Sequence, residues 1–207
     1  RRVSMAINTT NSISLVSAIA TMCSYLGVPA PIDANDITSD PDWIRAQGIL
    51  NATTREALHK GLEFNQDTDY TLNQEVDGTV LIPAGTLRWV VVNDWEERYT
   101  ERDNKVYDAV NQTDVISADL VVNIVWDITF DSMPEMIKNY LTIKSAYRFV
   151  ARLKGSDSVL QTIQQDLDDA NYEYLRYQGR TNGMSLLDNY EVHQIASRHL
   201  DYNHSYR

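Results

Sequence analysis

Cysteine is nearly absent from this chain of 207 residues. The one thiol, Cys23, excludes an internal disulfide, and its place in an apolar helical stripe marks it as a core residue rather than a reactive one. Long apolar runs are missing too. Nothing approaches the roughly 18 consecutive apolar residues that a membrane-spanning helix requires, and the opening "RRVSMAINTT" has two arginines without the apolar stretch of a secretory signal. The expectation is a globular protein made in the cytosol, with no membrane partner. The usual marks of catalysis are also lacking: no glycine-rich phosphate loop, no G-x-S-x-G elbow and no Cys/His pairing. Basic charge is in short supply, with 18 Lys and Arg against 29 Asp and Glu for a net charge of −11. A groove that grips nucleic acid needs clustered cations without nearby acids, so DNA clamping is disfavoured.

The charge deficit is local. Residues 62–131 hold 15 acids and 4 bases, whereas the segments on either side are balanced. The same boundaries separate helical from strand periodicity. Before them, "NSISLVSAIATMCSYLGVPAPI" reads as a helix with Ile13, Val16, Ile19, Ala20, Cys23 and Leu26 on one stripe and a stop at Gly27 and Pro29. "SDPDWIRAQGILNATTREALHKG" reads as a second, capped by Ser39 or Asp40, opened by Pro41, with Trp43, Gln47, Leu50, Ala57 and Leu58 near one face and Gly61 at its end. Within the acidic segment, Asp77-Gly78 signals a two-residue hairpin, Pro83 to Gly85 a turn, and Asp103-Asn104 a second hairpin. "LVVNIVWDITF" alternates, with Leu120, Val122, Ile124, Trp126, Ile128 and Phe130 facing one way.

The most organised segment follows. In "FDSMPEMIKNYLTIKSAYRFVARLKG", Ser132 and Glu135 have the spacing of a capping box and Pro134 fits the first turn. Met136, Tyr140, Ile143, Tyr147 and Val150 form an apolar stripe, and Lys144, Arg148 and Arg152 a basic one. An acidic helix comes next, with Val159, Ile163, Leu167, Ala170 and Tyr174 aligned and Gly179 as its stop. The short connection at residues 155–156 predicts an antiparallel hairpin in which Lys144 lies level with Asp166 and Lys138 with the turn from Asp169 to Glu173.

These elements predict an α+β fold: a helix bundle from residues 1–61 and 132–179, an inserted and mainly antiparallel acidic β unit at 62–131, and a tail at 180–207. The tail is too polar to make a core yet carries Met184, Leu186, Leu187, Tyr190, Ile195 and Leu200, so those residues are expected to dock on another surface. No cofactor or metal is expected. "DLDDANYE" lacks the central glycine of a calcium loop, and the spacing of His193, His199 and His204 fits neither one helical nor one strand face. Asp94, Glu96 and Glu97 could be offered as a glycosidase pair, but acids beside a turn are what this composition gives anyway. Glu96, Glu97, Glu101 and Asp103 are assigned to an acidic surface.

The capped helix, "DSMPEMIKNYLTIKSAYRFVARLKG", with Met133, Pro134, Glu135, Lys144, Phe149, Arg152 and Gly155, resembles the tail tubular protein A family, the head-to-tail adaptors of short-tailed bacteriophages. The likeness continues into "NGMSLLDN" and back through "LGVPAPI", "IRAQGILNATTREAL" and "LEFN". It rests on the order of elements, since these are packing residues. The resemblance implies a structural, non-enzymatic virion protein: a homo-oligomeric ring of twelve copies joining the portal protein to the tail nozzle protein, through which double-stranded DNA passes without specific binding. The alternative from another class is a virion-associated hydrolase of cell-wall or capsular glycan.

Overall fold

The computed structural model describes residues 12–92, 98–153 and 156–181. Helices α1 (Leu15–Ser24), α2 (Pro41–Leu58), α3 (Glu135–Arg152) and α4 (Asp157–Thr181) enclose strands β1 (Gln66–Leu72), β2 (Thr86–Val91), β3 (Tyr99–Arg102), β4 (Lys105–Asp108) and β5 (Leu120–Trp126) in the chain order α1, α2, β1 to β5, α3, α4. The fold is α+β, as expected. Its strands pair antiparallel, in a three-stranded sheet ordered β1-β5-β2 and a separate β3-β4 hairpin.

Local signals decide where most elements begin and end. Ser14 caps α1 in a reciprocal box with Ser17, the Ser17 amide donating to Ser14 Oγ at 3.2 Å and the Ser14 amide to Ser17 Oγ at 2.8 Å. Asp40 caps α2 by accepting from the Asp42 amide at 2.7 Å, and Pro41 opens it. Its buried face runs through Ala46, Ile49, Leu50, Thr53 and Ala57, so Trp43 and Gln47, expected on that face, lie at its half-buried margin. Asp103 and Asn104 have φ of 50° and 62° and close the β3-β4 hairpin as a two-residue turn. The Asp77-Gly78 signal gives a longer loop than expected. Gln74 bridges Val80, the Glu75 amide donates to the Thr79 carbonyl at 2.7 Å, and three residues span the gap, with Gly78 at φ 85° supplying the left-handed step.

Two hydrophobic clusters form. The helical one joins Ile19, Met22, Leu50 and Leu58 to Ile137, Leu141, Phe149 and Ile163; the β one contains Leu72, Val80, Ile82, Val106, Val122 and Ile124. Phe130, expected on the β5 face, belongs to the helical cluster, because β5 ends at Trp126 and residues Phe130–Ser132 form a 3-10 turn. The other face of β5 is not simply solvated either, since Val125 is buried. It lies where α2 ends: a Cβ on Gly61, itself at φ 75°, would stand 3.3 Å from Val125 Cγ2 and 3.0 Å from Gln66 Oε1. Asn65 holds the same corner. Buried at 1% exposure, it accepts from the Leu62 amide and donates to the carbonyls of Leu58 and Trp126, tying the end of α2 to the end of β5.

Helix α3 packs against α1, α2 and α4. Of the stripe read from the sequence, Met136, Tyr140, Ile143 and Tyr147 are half-buried and Val150 is fully buried. A deeper one, Ile137, Leu141, Ser145 and Phe149, is fully covered. Helix α4 covers the aromatic stripe, stacking Tyr174 on Tyr140 with centroids 4.5 Å apart and planes 7° from parallel. It continues through Gly179 to Thr181, two residues past its expected stop.

Candidate interaction surfaces

The basic strip of α3 was expected to meet acidic α4. It meets α2 instead. Arg148 Nη1 lies 2.7 Å from Glu56 Oε2 and donates to Thr53 Oγ1 at 3.1 Å, while Lys144 Nζ lies 3.6 Å from Glu56 Oε1. These cations hold the Glu56 carboxyl below its usual range, the Arg148 hydrogen bond contributing most. The Tyr140–Tyr174 stack explains the change, since it places Ala170 rather than Asp166 opposite Lys144, about one helical turn from the expected register. Exposed ion pairs worth ~0.2–1 kcal/mol do not override a stacked, half-buried aromatic pair.

The capping box at Ser132 is also replaced. Pro134 occupies the N-cap without a side-chain hydrogen bond, and Ser132 Oγ lies 2.8 Å from Thr129 Oγ1. Glu135 faces the entry to α1: it accepts from the Ile13 amide at 3.0 Å and from Ser12 Oγ, and Lys138 Nζ sits 2.6 Å away. Lys138, 2% exposed, also donates to Ser12 Oγ at 2.8 Å. Asp131 completes the knot by accepting from the Leu15 amide at 2.8 Å. The Ile13 amide, Lys138 and Ser12 together pull the Glu135 carboxyl down to about 2.

With the α3 cations engaged elsewhere, the acids of α4 find few partners. Asp166 accepts from Tyr25 Oη at 2.7 Å, and burial together with this bond pushes the phenol up to about 12. Asp168 accepts from Gln164, and Glu173 lies 3.5 Å from Arg176. Among the described residues, no group of three or more His, Cys, Asp or Glu side chains is placed to hold a metal, and no helix is long and apolar enough to cross a membrane.

In the β segment, Arg98 grips buried Asp108 through Nε at 2.8 Å and Nη2 at 2.5 Å, with the Asn111 amide and side chain completing the site. The Arg98 bond foremost, followed by those from Asn111, holds this carboxyl far below its usual range. Lys105 lies 3.9 Å from Asp114, and Arg102 stacks its guanidinium 3.7 Å from the Tyr107 ring centroid. Glu101 and Asp103 are both exposed, Glu101 on β3 opposite Val106 and Asp103 in the turn beyond. Glu96 and Glu97, with Asp94, lie outside the described residues, as do Met184, Leu186, Leu187, Tyr190, Ile195, Leu200 and the three C-terminal histidines. The sequence reading missed Asn65 and set Lys138 against α4, where the structure buries it beside Glu135 and Ser12.

The chain is 26% identical over 157 residues to the tail tubular protein A of Klebsiella phage KP34, covering 76% of this chain and 77% of that protein. The family described as "Tail tubular protein" matches residues 16–184, from the first turn of α1 to beyond the end of α4. The chain belongs to the tail tubular protein family, and is a structural protein of the bacteriophage tail.

Proposed function

We propose that this protein is a ring-forming adaptor of twelve copies that links the portal to the tail nozzle and surrounds the path of the exiting DNA, without enzymatic activity of its own. One observation supports the DNA part of this reading. Several of the cations that could grip phosphate are engaged within the chain: Lys144 and Arg148 on Glu56, Lys138 on Glu135, Arg98 on Asp108. The surplus acids remain outside. A surface of this kind repels a duplex over about one Debye length, ~10 Å at 0.1 M salt, and lets it slide.

In this reading residues 1–61 and 132–179 form the body, 62–131 the acidic unit with Glu96, Glu97, Glu101 and Asp103 turned to the channel or outer surface, and 180–207 the docking tail. Met184, Leu186, Leu187, Tyr190, Ile195 and Leu200 supply its apolar contacts. Imaging the protein mixed with portal particles of the same phage tests this directly. Rings seated on the portal are expected, and truncation after Thr181 should abolish seating while leaving the far-ultraviolet circular dichroism of the body intact. Bare portals with the full-length chain refute the adaptor role. Turnover of cell-wall or capsular glycan that is lost on Glu96→Gln and Glu97→Gln would establish the hydrolase instead.

A further inference from the structure

Helix α2 carries a glycine, Gly48, in its interior, where alanine would be the better helix former. Nothing among the described residues requires it, since an added Cβ would meet none of their atoms within 4 Å. It lies in a groove of about 530 Å³ between the first half of α2 and the last turn of α3. The groove has an apolar floor of Ile49, Phe149 and Leu153, and Arg45 and Arg152 on its rim. Beside it Ile44 is 50% exposed. Arg152 makes no ion pair among the described residues, and Arg45 makes only a surface pair with Asp42 on its own helix.

The complementary surface is on α4. Gln161, Gln165, Asp168, Tyr172 and Leu175 are all exposed and follow one another at intervals of four, three, four and three residues, the spacing of a helix seam that packs against a neighbour. Tyr172 is 66% and Leu175 45% exposed, and Asp169 flanks the seam with a second carboxylate. Within its own chain α4 lies against the aromatic stripe of α3, so this seam points away from the body.

We propose that the Arg45–Arg152 groove of one copy receives the outer seam of α4 from a second copy, with Asp168 and Asp169 meeting the arginines and Gly48 leaving room for close helix approach. Groove and seam are different surfaces of the same chain. The contact is therefore head-to-tail, and it repeats into a closed ring or an open filament. This interface rests on the ring reading above and supplies its subunit joint.

Cysteine trapping in the full chain tests it, because the native Cys23 is buried and gives little background. Ile44→Cys and Gln165→Cys preparations, mixed under mild oxidation, should form a disulfide-linked dimer at least ten-fold faster than Ile44→Cys mixed with Val110→Cys. Arg45→Glu with Arg152→Glu should suppress that trapping, and Asp168→Lys with Asp169→Lys on the other member should restore it. Gly48→Ala should slow trapping and Gly48→Phe should block it, while circular dichroism shows both variants folded. Trapping no faster than the Val110 control, or indifferent to the arginine reversal, overturns the interface. Rings imaged on the portal without this crosslink would remove the groove contact and spare the adaptor. Crosslinked open filaments that never seat on a portal would do the reverse.

Discussion

Replacing Glu135 with Gln and Lys138 with Met, singly and together, separates the two halves of the knot that anchors the start of α1. Their environments differ sharply: the Lys138 side chain is 2% exposed and that of Glu135 48%. Glu135→Gln leaves a buried ammonium with Ser12 and a neutral amide as its only partners among the described residues. Stranding a buried charge costs roughly 3–5 kcal/mol, and the remaining hydrogen bonds place this case near ~3. Lys138→Met keeps an unbranched stem of similar length in the core and leaves a carboxylate that can hydrate while still accepting from the Ile13 amide, at a cost of about 1 kcal/mol. The double variant should resemble Lys138→Met, because the stranded charge is gone. With a urea slope of about 2 kcal/mol/M, the midpoints should fall by ~1.5 M for Glu135→Gln and ~0.5 M for the other two. The pH dependence gives a second readout. The Glu135 carboxyl, ordinarily near 4.5, is pulled down to about 2 in the fold, so its contribution is present above pH 4.5 and is lost as pH falls toward 2. That acid limb should be shallower in Lys138→Met. A larger loss for Lys138→Met than for Glu135→Gln would refute the reasoning, since it would mean that the lysine stem matters and its charge does not.

Two further outcomes follow from single contacts. Asn104, at φ 62°, should lose about 1 kcal/mol on replacement by Ala and little or nothing on replacement by Gly, measured by hydrogen exchange of the β3-β4 amides; equal losses would mean that its side-chain bond to the Ile82 carbonyl dominates. Glu56→Gln removes the acid that occupies Lys144 and Arg148, so the variant should bind duplex DNA weakly at ~50 mM salt and release it by ~200 mM, where the parent binds at neither; unchanged behaviour in a mobility-shift titration would mean that those cations are shielded by more than Glu56.

Elements set by neighbouring residues could be read directly from the sequence. Asp40-Pro41, Gly61, the Pro83 to Gly85 turn and the Asp103-Asn104 hairpin each fix the backbone through their own dihedral preferences or hydrogen bonds within three residues. What could not be read depended on partners far along the chain. Ser132 and Glu135 have capping-box spacing, yet the carboxylate serves an amide 122 residues away, because the chain entering α1 passes over the start of α3 and leaves amides that need an acceptor. The deep face of α3 was hidden for a related reason. Lys138, Thr142 and Ser145 interrupt it with polar letters, although Lys138 is paired there and Thr142 returns its hydroxyl to the Lys138 carbonyl, while the half-buried aromatic stripe on the other side reads as the more apolar one. Charge failed as a guide to the register of α3 and α4 because exposed pairs are weak and several registers offer them, whereas the Tyr140–Tyr174 stack is satisfied by one.

That register also fixes where the ends of the described chain emerge. Tyr174 opposite Tyr140 sets Gly179 level with Glu135, so α4 reaches the end of the bundle beside the knot of Ser12, Glu135 and Lys138. Residue 12, where the described chain begins, and residue 181, where α4 ends, therefore sit at the same pole. The corner held by Asn65, from which β1 departs, and the Phe130–Ser132 turn, through which the chain returns to α3, connect to that pole as well. The Arg45–Arg152 groove lies at the other end of α3, beside its last turn. The end of α4 at Thr181 and the Arg45–Arg152 groove thus occupy opposite ends of the helical body. In the proposed ring the groove is therefore filled at the pole opposite Thr181, while the α4 seam given to the other neighbour runs along the body from Gln161 to Leu175.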